Sequence, residues 1–183
     1  MGIAELVRPS WDYRDAYISF YEEWLQSGED MVPWVIKREP YAYREMLRFL
    51  EEGERPELVP PNFVSHSTYW LLDKTGRIVG AANLRHTLND KLLRSGGHIG
   101  YGIRPSERGR GYASELLRLT LERARERGIG RVLVVCDRGN AASERVIVKN
   151  GGLLESELTE ENGNVVRRFW IGEPGQGPGR DNL

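Results

Sequence analysis

The chain has 183 residues, 39% of them hydrophobic and 29% charged, a balance that excludes wholesale disorder and favours one domain over two. Lys and Arg number 26 and Asp and Glu 27, so the formal charge of -1 leaves no global basic field for gripping nucleic acid. The lone Cys136 excludes an internal disulfide framework and a cysteine-rich zinc site, and it fits a reducing cytosol.

No apolar run approaches the ~18 residues of a membrane span. Met1 to Val7 lacks the basic and long apolar regions of a signal peptide. The expectation is a soluble cytoplasmic domain over 1–172, followed by a Gly- and Pro-rich tail over 173–183 that is expected to be disordered.

Residues 3–8 read as a first strand. Ser10 is placed to cap a helix over about 11–26, with Asp12 in its first turn and Tyr13, Tyr17, Phe20 and Trp24 at helical spacing; Gly28 ends it. Pro40 is placed to open a second helix, with Tyr43, Met46, Leu47 and Leu50 as its stripe and Gly53 as its stop. Residues 53–62 carry Gly53, Pro56, Pro60 and Pro61 and read as a loop.

Strands at 68–72 and 77–82 flank Lys74-Thr75-Gly76 as a hairpin, and another strand at 98–103 stops at Pro105. The turn Arg108-Gly109-Arg110-Gly111 then leads into a helix with Ala113, Leu116, Leu117, Leu121 and Ala124 on one side. Val132 to Cys136 is a continuous apolar run, as a strand buried on both faces requires. Asn140 can cap a helix reaching about Asn150, and 153–158 and 165–171 form a last hairpin. The order β-α-α-β-β-β-α-β-α-β-β is a mixed α/β sheet with helices packed on it.

The glycine turn is the chemically informative segment. Glycines between a strand and a helix start let backbone approach a ligand closely. The first helical N–H groups have no internal acceptor and carry the positive end of the helix dipole, so an anion such as a pyrophosphate suits them. From Arg104 to Arg131 there are eight Arg against four Glu, and Arg104, Arg108 and Arg110 lie at the turn itself. A P-loop is excluded because Tyr112-Ala113 follows Gly111, and a Rossmann fingerprint because Ser114 stands at its third glycine.

Arg108, Gly111 and Ala113 resemble motif A of the GNAT superfamily of acetyl-CoA-dependent N-acetyltransferases, Arg/Gln-x-x-Gly-x-Gly/Ala. Asn140-Ala141-Ala142-Ser143 followed by Lys149-Asn150-Gly151-Gly152 resembles motif B. Gly96 to Tyr101 with Pro105-Ser106-Glu107-Arg108 resembles a bacterial subgroup of predicted acetyltransferases, and the likeness covers about 3–171. The resemblance implies a GNAT fold: a mixed central sheet with helices on both faces and two splayed parallel strands, 98–103 and 131–136, forming a cleft for acetyl-CoA. It implies that the backbone of Arg108, Gly109, Arg110, Gly111, Tyr112 and Ala113 holds the pyrophosphate. The backbone of Ile103 would meet the pantetheine, and Asn140 and Ser143 would flank it.

The implied reaction moves acetyl from acetyl-CoA to a primary amine of a small molecule, a simple amine or an amino-acid derivative, by direct attack in a ternary complex; a protein amine is the alternative acceptor, which nothing in the sequence demands. The transfer needs a base, a stabilised carbonyl oxygen and a proton for the thiolate. The family's usual tyrosine acid falls at Ile147, which cannot donate, and Ser143 is left to hydrogen-bond the sulfur. His98 is the candidate base because an ordinary imidazole titrates near neutrality, though a strand-end histidine also serves to bond a neighbouring loop. His86 reads as a surface residue, Glu107 as a carboxylate facing water, and Cys136 as a buried filler.

Ten of the 17 aromatics fall between Trp11 and Phe49 and read as core, while Trp34 and Tyr41 stand beside the region that borders the acceptor in this family. The run Glu51, Glu52 and Glu54 reads as a solvated face that could also attract an amine. The rival reading is a CoA-binding sensor or interaction module with little transferase activity. A third, weaker reading is a nucleic-acid binder using the arginine-rich segment. A homodimer could form by pairing through the last strand, and no metal is expected.

Overall fold

The computed structural model describes residues 4–172, so the tail expected over 173–183 lies outside the described residues. The strands are β1 (Ala4–Val7), β2 (His66–Asp73), β3 (Ile78–Arg85), β4 (Ile99–Ile103), β5 (Val132–Asp137), β6 (Leu153–Thr159) and β7 (Val165–Ile171). The helices are α1 (Arg14–Ser27), α2 (Tyr43–Glu52), α3 (Tyr112–Glu126) and α4 (Ala141–Lys149). Their order is the one the periodicity predicts, with short helical turns added at Trp11–Tyr13, Trp34–Lys37, Leu92–Gly96 and Pro105–Glu107.

Local chemistry moves several boundaries. Ser10 bonds Asp12 (3.5 Å) instead of capping a backbone N–H, and α1 proper begins after the tight turn, at Arg14. Pro40 lies outside α2, which starts at Tyr43. Gly53 does follow α2, but with φ -58° its backbone would suit any residue. What requires glycine there is His66: a Cβ would sit 2.5 Å from the imidazole.

The strands form two sheets, β1-β2-β3-β4 and β5-β7-β6. The last strand is therefore central in its sheet, which corrects the expectation that it offers a pairing edge. The free edge belongs to β6, where Leu153 and Leu154 are exposed.

Alternation in β2 divides the core. Tyr69 and Leu71 face α3 and α4, with Ile99, Ile103, Leu116, Leu117, Val134, Ile147 and Phe169. Trp70 and Leu72 face α1 and α2, with Tyr17, Phe20, Trp24, Ile36 and Met46. Trp70 stacks on Tyr17 with ring centroids 4.2 Å apart, so most of the amino-terminal aromatics are core, as expected.

The chain passes from β4 through α3 to β5, the crossover that joins parallel neighbours. β4 and β5 are fastened only at their starts. His98 N–H donates to the Leu133 carbonyl (2.7 Å), and Leu133 N–H donates to His98 Nδ1 (2.9 Å). Gly97 makes this approach possible: its φ is +67°, and a Cβ would lie 2.7 Å from the Leu133 oxygen. Beyond this clasp no ladder joins the two strands among the described residues, so the sheet is split between them.

Candidate active site

The glycine turn sits at the open end of β4. Gly109 (φ +76°) and Gly111 (φ +84°) hold left-handed conformations, and nothing lies within 4 Å of a Cβ built on Gly109. Among the described residues, no acceptor takes the N–H of Gly109, Gly111, Tyr112 or Ala113. The turn is thus a row of free donors at the positive end of a 15-residue helix, and it fits a diphosphate.

The three arginines diverge. Arg110 is exposed and pairs with Glu107 (3.1 Å). Arg108 lies over the Trp24 ring (5.1 Å) and bonds Glu29 (3.0 Å), reaching back from the turn to the end of α1. Arg104 is buried and turned inward onto Glu23 and Ser19, so its charge does not reach the turn, contrary to the expectation. Burial would raise the Glu23 carboxyl, but hydrogen bonds from Ser106 and Arg104 hold it down at about 2. Glu107 is also buried, bonded to Arg77, which corrects its reading as a carboxylate facing water.

Across the opening, the Asn140 side chain accepts the Ser143 N–H (3.0 Å), so the residue caps α4 as its position predicts. The Ser143 hydroxyl lies 2.9 Å from the Tyr101 phenol of β4. Burial pushes that phenol up to about 12 and the neighbouring Cys136 thiol up to about 11, so both keep their protons at neutral pH. Tyr101 and Ser143 form a protic bridge between the two sides of the cleft. Tyr101 is given no role in the site by the sequence reading. The available signal was its alternation with Ile99 and Ile103, which aims it at α4.

His98 does not suit the base role expected of it. Its Nδ1 lone pair is taken by the Leu133 N–H, so the ring proton sits on Nε2 and no free lone pair faces the cleft. Burial, then the nearby Arg85, hold its pKa down at about 4. His86 is not a plain surface residue either. It bonds Ser67 (2.8 Å) and Ser65 (3.0 Å), and burial lowers it to about 4. Ile147 is fully buried in the core, against Gly152, so the place of the usual tyrosine acid is structural here.

The opposite face of β4 meets the segment before α2. A Cβ on Gly102 would lie 2.1 Å from the Val32 carbonyl oxygen, and one on Gly100 would lie 3.3 Å from Arg85 Nη2 and 3.5 Å from Pro33. Trp34 packs edge-on to His66 (5.4 Å) and Phe49 (6.0 Å) and beside Phe63 (5.7 Å). Tyr41 is exposed and meets only Tyr21 among the aromatic rings described (6.0 Å).

A sheet split between two parallel strands, with a donor-lined helix start at its mouth, defines the class as the acetyltransferase fold that the motifs imply. The model of the acetyltransferase (GNAT) domain family matches residues 6–152, and the chain belongs to that family. Its structure is similar to that of ribosomal-protein-S5-alanine acetyltransferase from Vibrio fischeri (TM-score 0.72, 14% identity, 97% of each chain). It is also similar to RimL, a ribosomal L7/L12 alpha-N-protein acetyltransferase in complex with coenzyme A (TM-score 0.66, 18% identity, 93% of this chain and 94% of that one). A third likeness is to a mutant of the spermidine N-acetyltransferase SpeG from Vibrio cholerae (TM-score 0.62, 18% identity, 91% and 94%). No curated protein matches in sequence. No helix among the described residues is long and apolar enough to cross a membrane.

Proposed function

We propose that the protein transfers the acetyl group of acetyl-CoA to the primary amine of a small molecule, by direct attack in a ternary complex. The observation that carries this reading is the row of free N–H groups at Gly109, Gly111, Tyr112 and Ala113, beside strands that part after one clasp. The backbone of Arg108 to Ala113 would take the pyrophosphate, and exposed Arg110 would add charge. The edge of β4 down to Ile103, left unpaired by the split, would meet the pantetheine, with Asn140 and Ser143 on the other side.

With the cofactor entering on the α3 and α4 face, the amine is left to approach from the α1 and α2 face. Bond formation at the carbonyl carbon expels the CoA thiolate. The Ser143 hydroxyl, backed by the Tyr101 phenol, would donate the hydrogen bond that this sulfur needs, in place of a tyrosine on α4. With the His98 lone pair occupied, the proton lost by the amine goes to water.

Calorimetry with acetyl-CoA, followed by CoA release across a panel of amines, tests the reading. Micromolar binding with turnover supports it. Binding without turnover of any amine would favour the sensor reading, which the apolar Ile147 motivates.

A further inference from the structure

Arg85, the last residue of β3, stands apart among the arginines. Every other described arginine without a carboxylate partner lies at an exposed position, whereas Arg85 is largely enclosed. The buried Arg104 has Glu23, half-buried Arg167 has Glu144 and Glu157, and Arg168 has Glu155. Burial pushes the Arg85 guanidinium down only to about 10 and no acidic group opposes the shift, so it stays charged at neutral pH. Its charged neighbourhood is otherwise His66 and His98, each lowered to about 4 and hence neutral.

One edge of the guanidinium is occupied. Nη1 donates to the carbonyls of Gly96 (3.0 Å) and Gly97 (3.2 Å). The Nε and Nη2 N–H groups, the side-on fork that matches a carboxylate in two parallel hydrogen bonds, make no bond within the described residues. The fork's Nη2 lies over Gly100 beside Pro33, on the face of β4 left to the acceptor. A side chain at residue 100 would displace it.

We infer that Arg85 binds an anionic group of the acceptor, so that the substrate is an amine bearing a carboxylate, of the α-amino-acid class, and not a polyamine. This rests on the transfer reading above. A desolvated cation without a counter-ion is costly, and a bound carboxylate supplies the missing charge. The same cation repels a second ammonium group, which sets a polyamine against the site.

Two measurements keep this inference separable from the transfer reading. In the first, the CoA-loaded full chain is titrated with N-acetyl-L-amino acids and, separately, with their carboxamides, while the Arg85 Nε–H resonance is followed by NMR. Arg85→Lys identifies the signal. The acids should shift it saturably and the carboxamides should not; no shift, or equal shifts, overturns the inference. In the second, CoA release is measured with amino acids, amino-acid amides and spermidine.

The acids should be preferred by about tenfold or more in kcat/KM, as expected for a charge-assisted pair. Arg85→Gln should remove that preference through KM, and Arg85→Lys should keep part of it. If Arg85→Gln does not fold, the wild-type preference and the resonance shift decide. Acetylation of spermidine in preference to amino acids would leave the transfer reading standing and overturn the Arg85 assignment. Selective binding of the N-acetyl acids with no turnover of any amine would do the reverse.

Discussion

The two sides of the β4–β5 cleft are built by different means. The α3 and α4 side is made of backbone: a glycine turn, a helix start, an unpaired strand edge and one cap. The α1 and α2 side is made of side chains drawn from Pro33, Trp34, Phe63, His66 and Arg85, which span some fifty positions of chain. On the proposed reading, the backbone donors hold what is common to every reaction cycle, the cofactor. Side chains can differ from one relative to the next, and they are where an acceptor is chosen. If the proposed transfer holds, the contrast teaches that cofactor binding and substrate choice are encoded in separate halves of one opening.

Four sets of experiments would break or sharpen that contrast. The largest effect is expected for Gly111→Asp, which puts a carboxylate where a phosphate belongs and forces φ +84° on a residue with a Cβ. Acetyl-CoA affinity should fall by about a hundredfold or more in calorimetry, while the fold, read by circular dichroism, persists. Unchanged affinity would remove the turn from the site.

Tyr101→Phe should lower kcat by about a hundredfold with little change in acetyl-CoA affinity, because it strips the support from Ser143. Ser143→Ala should cost as much, and the double variant little more. Full activity in Tyr101→Phe would leave the thiolate without this donor.

Acid should destabilise the protein through all three histidines. Each has a folded pKa of about 4 against an ordinary 6.5, so between these values the unfolded chain binds more protons. Stability contributed by their neutral forms is complete above about pH 6.5 and is lost as pH falls toward 4. Urea unfolding from pH 7 to 5 should show it, and replacing His98 with glutamine should flatten the slope. A pH-independent midpoint would contradict the burial of these rings.

The smallest effect is expected at Cys136. Its thiol is raised to about 11 and stays protonated, so Cys136→Ala should leave turnover within about twofold. A large loss would mean that the thiol takes part in transfer.

What could be read in advance follows the same division. The split sheet is implied by the family resemblance alone, whereas the order of elements, the turn and the cap at Asn140 rest on short-range signals: periodicity, glycine, and a capping residue three positions from its N–H. The roles of individual polar side chains do not. Glu107 looks solvated until Arg77, 30 residues earlier, is seen against it. His98 looks like a free imidazole until the Leu133 N–H occupies it. Arg104 looks like a phosphate ligand until Glu23 draws it inward. Arg85 drew no attention because a missing partner is a property of the packed molecule and leaves no mark in a string of residues.

The central claim is that residues 108–113 and the adjoining edge of β4 receive acetyl-CoA. The most direct measurement is an acetyl-CoA titration of ¹⁵N-labelled protein with the backbone amides assigned. The account predicts the largest shifts at Gly109, Gly111, Tyr112 and Ala113, with a second set along β4 near Ile103 and at Ser143. Shifts centred elsewhere with these amides unmoved, or no shifts at all, would contradict it.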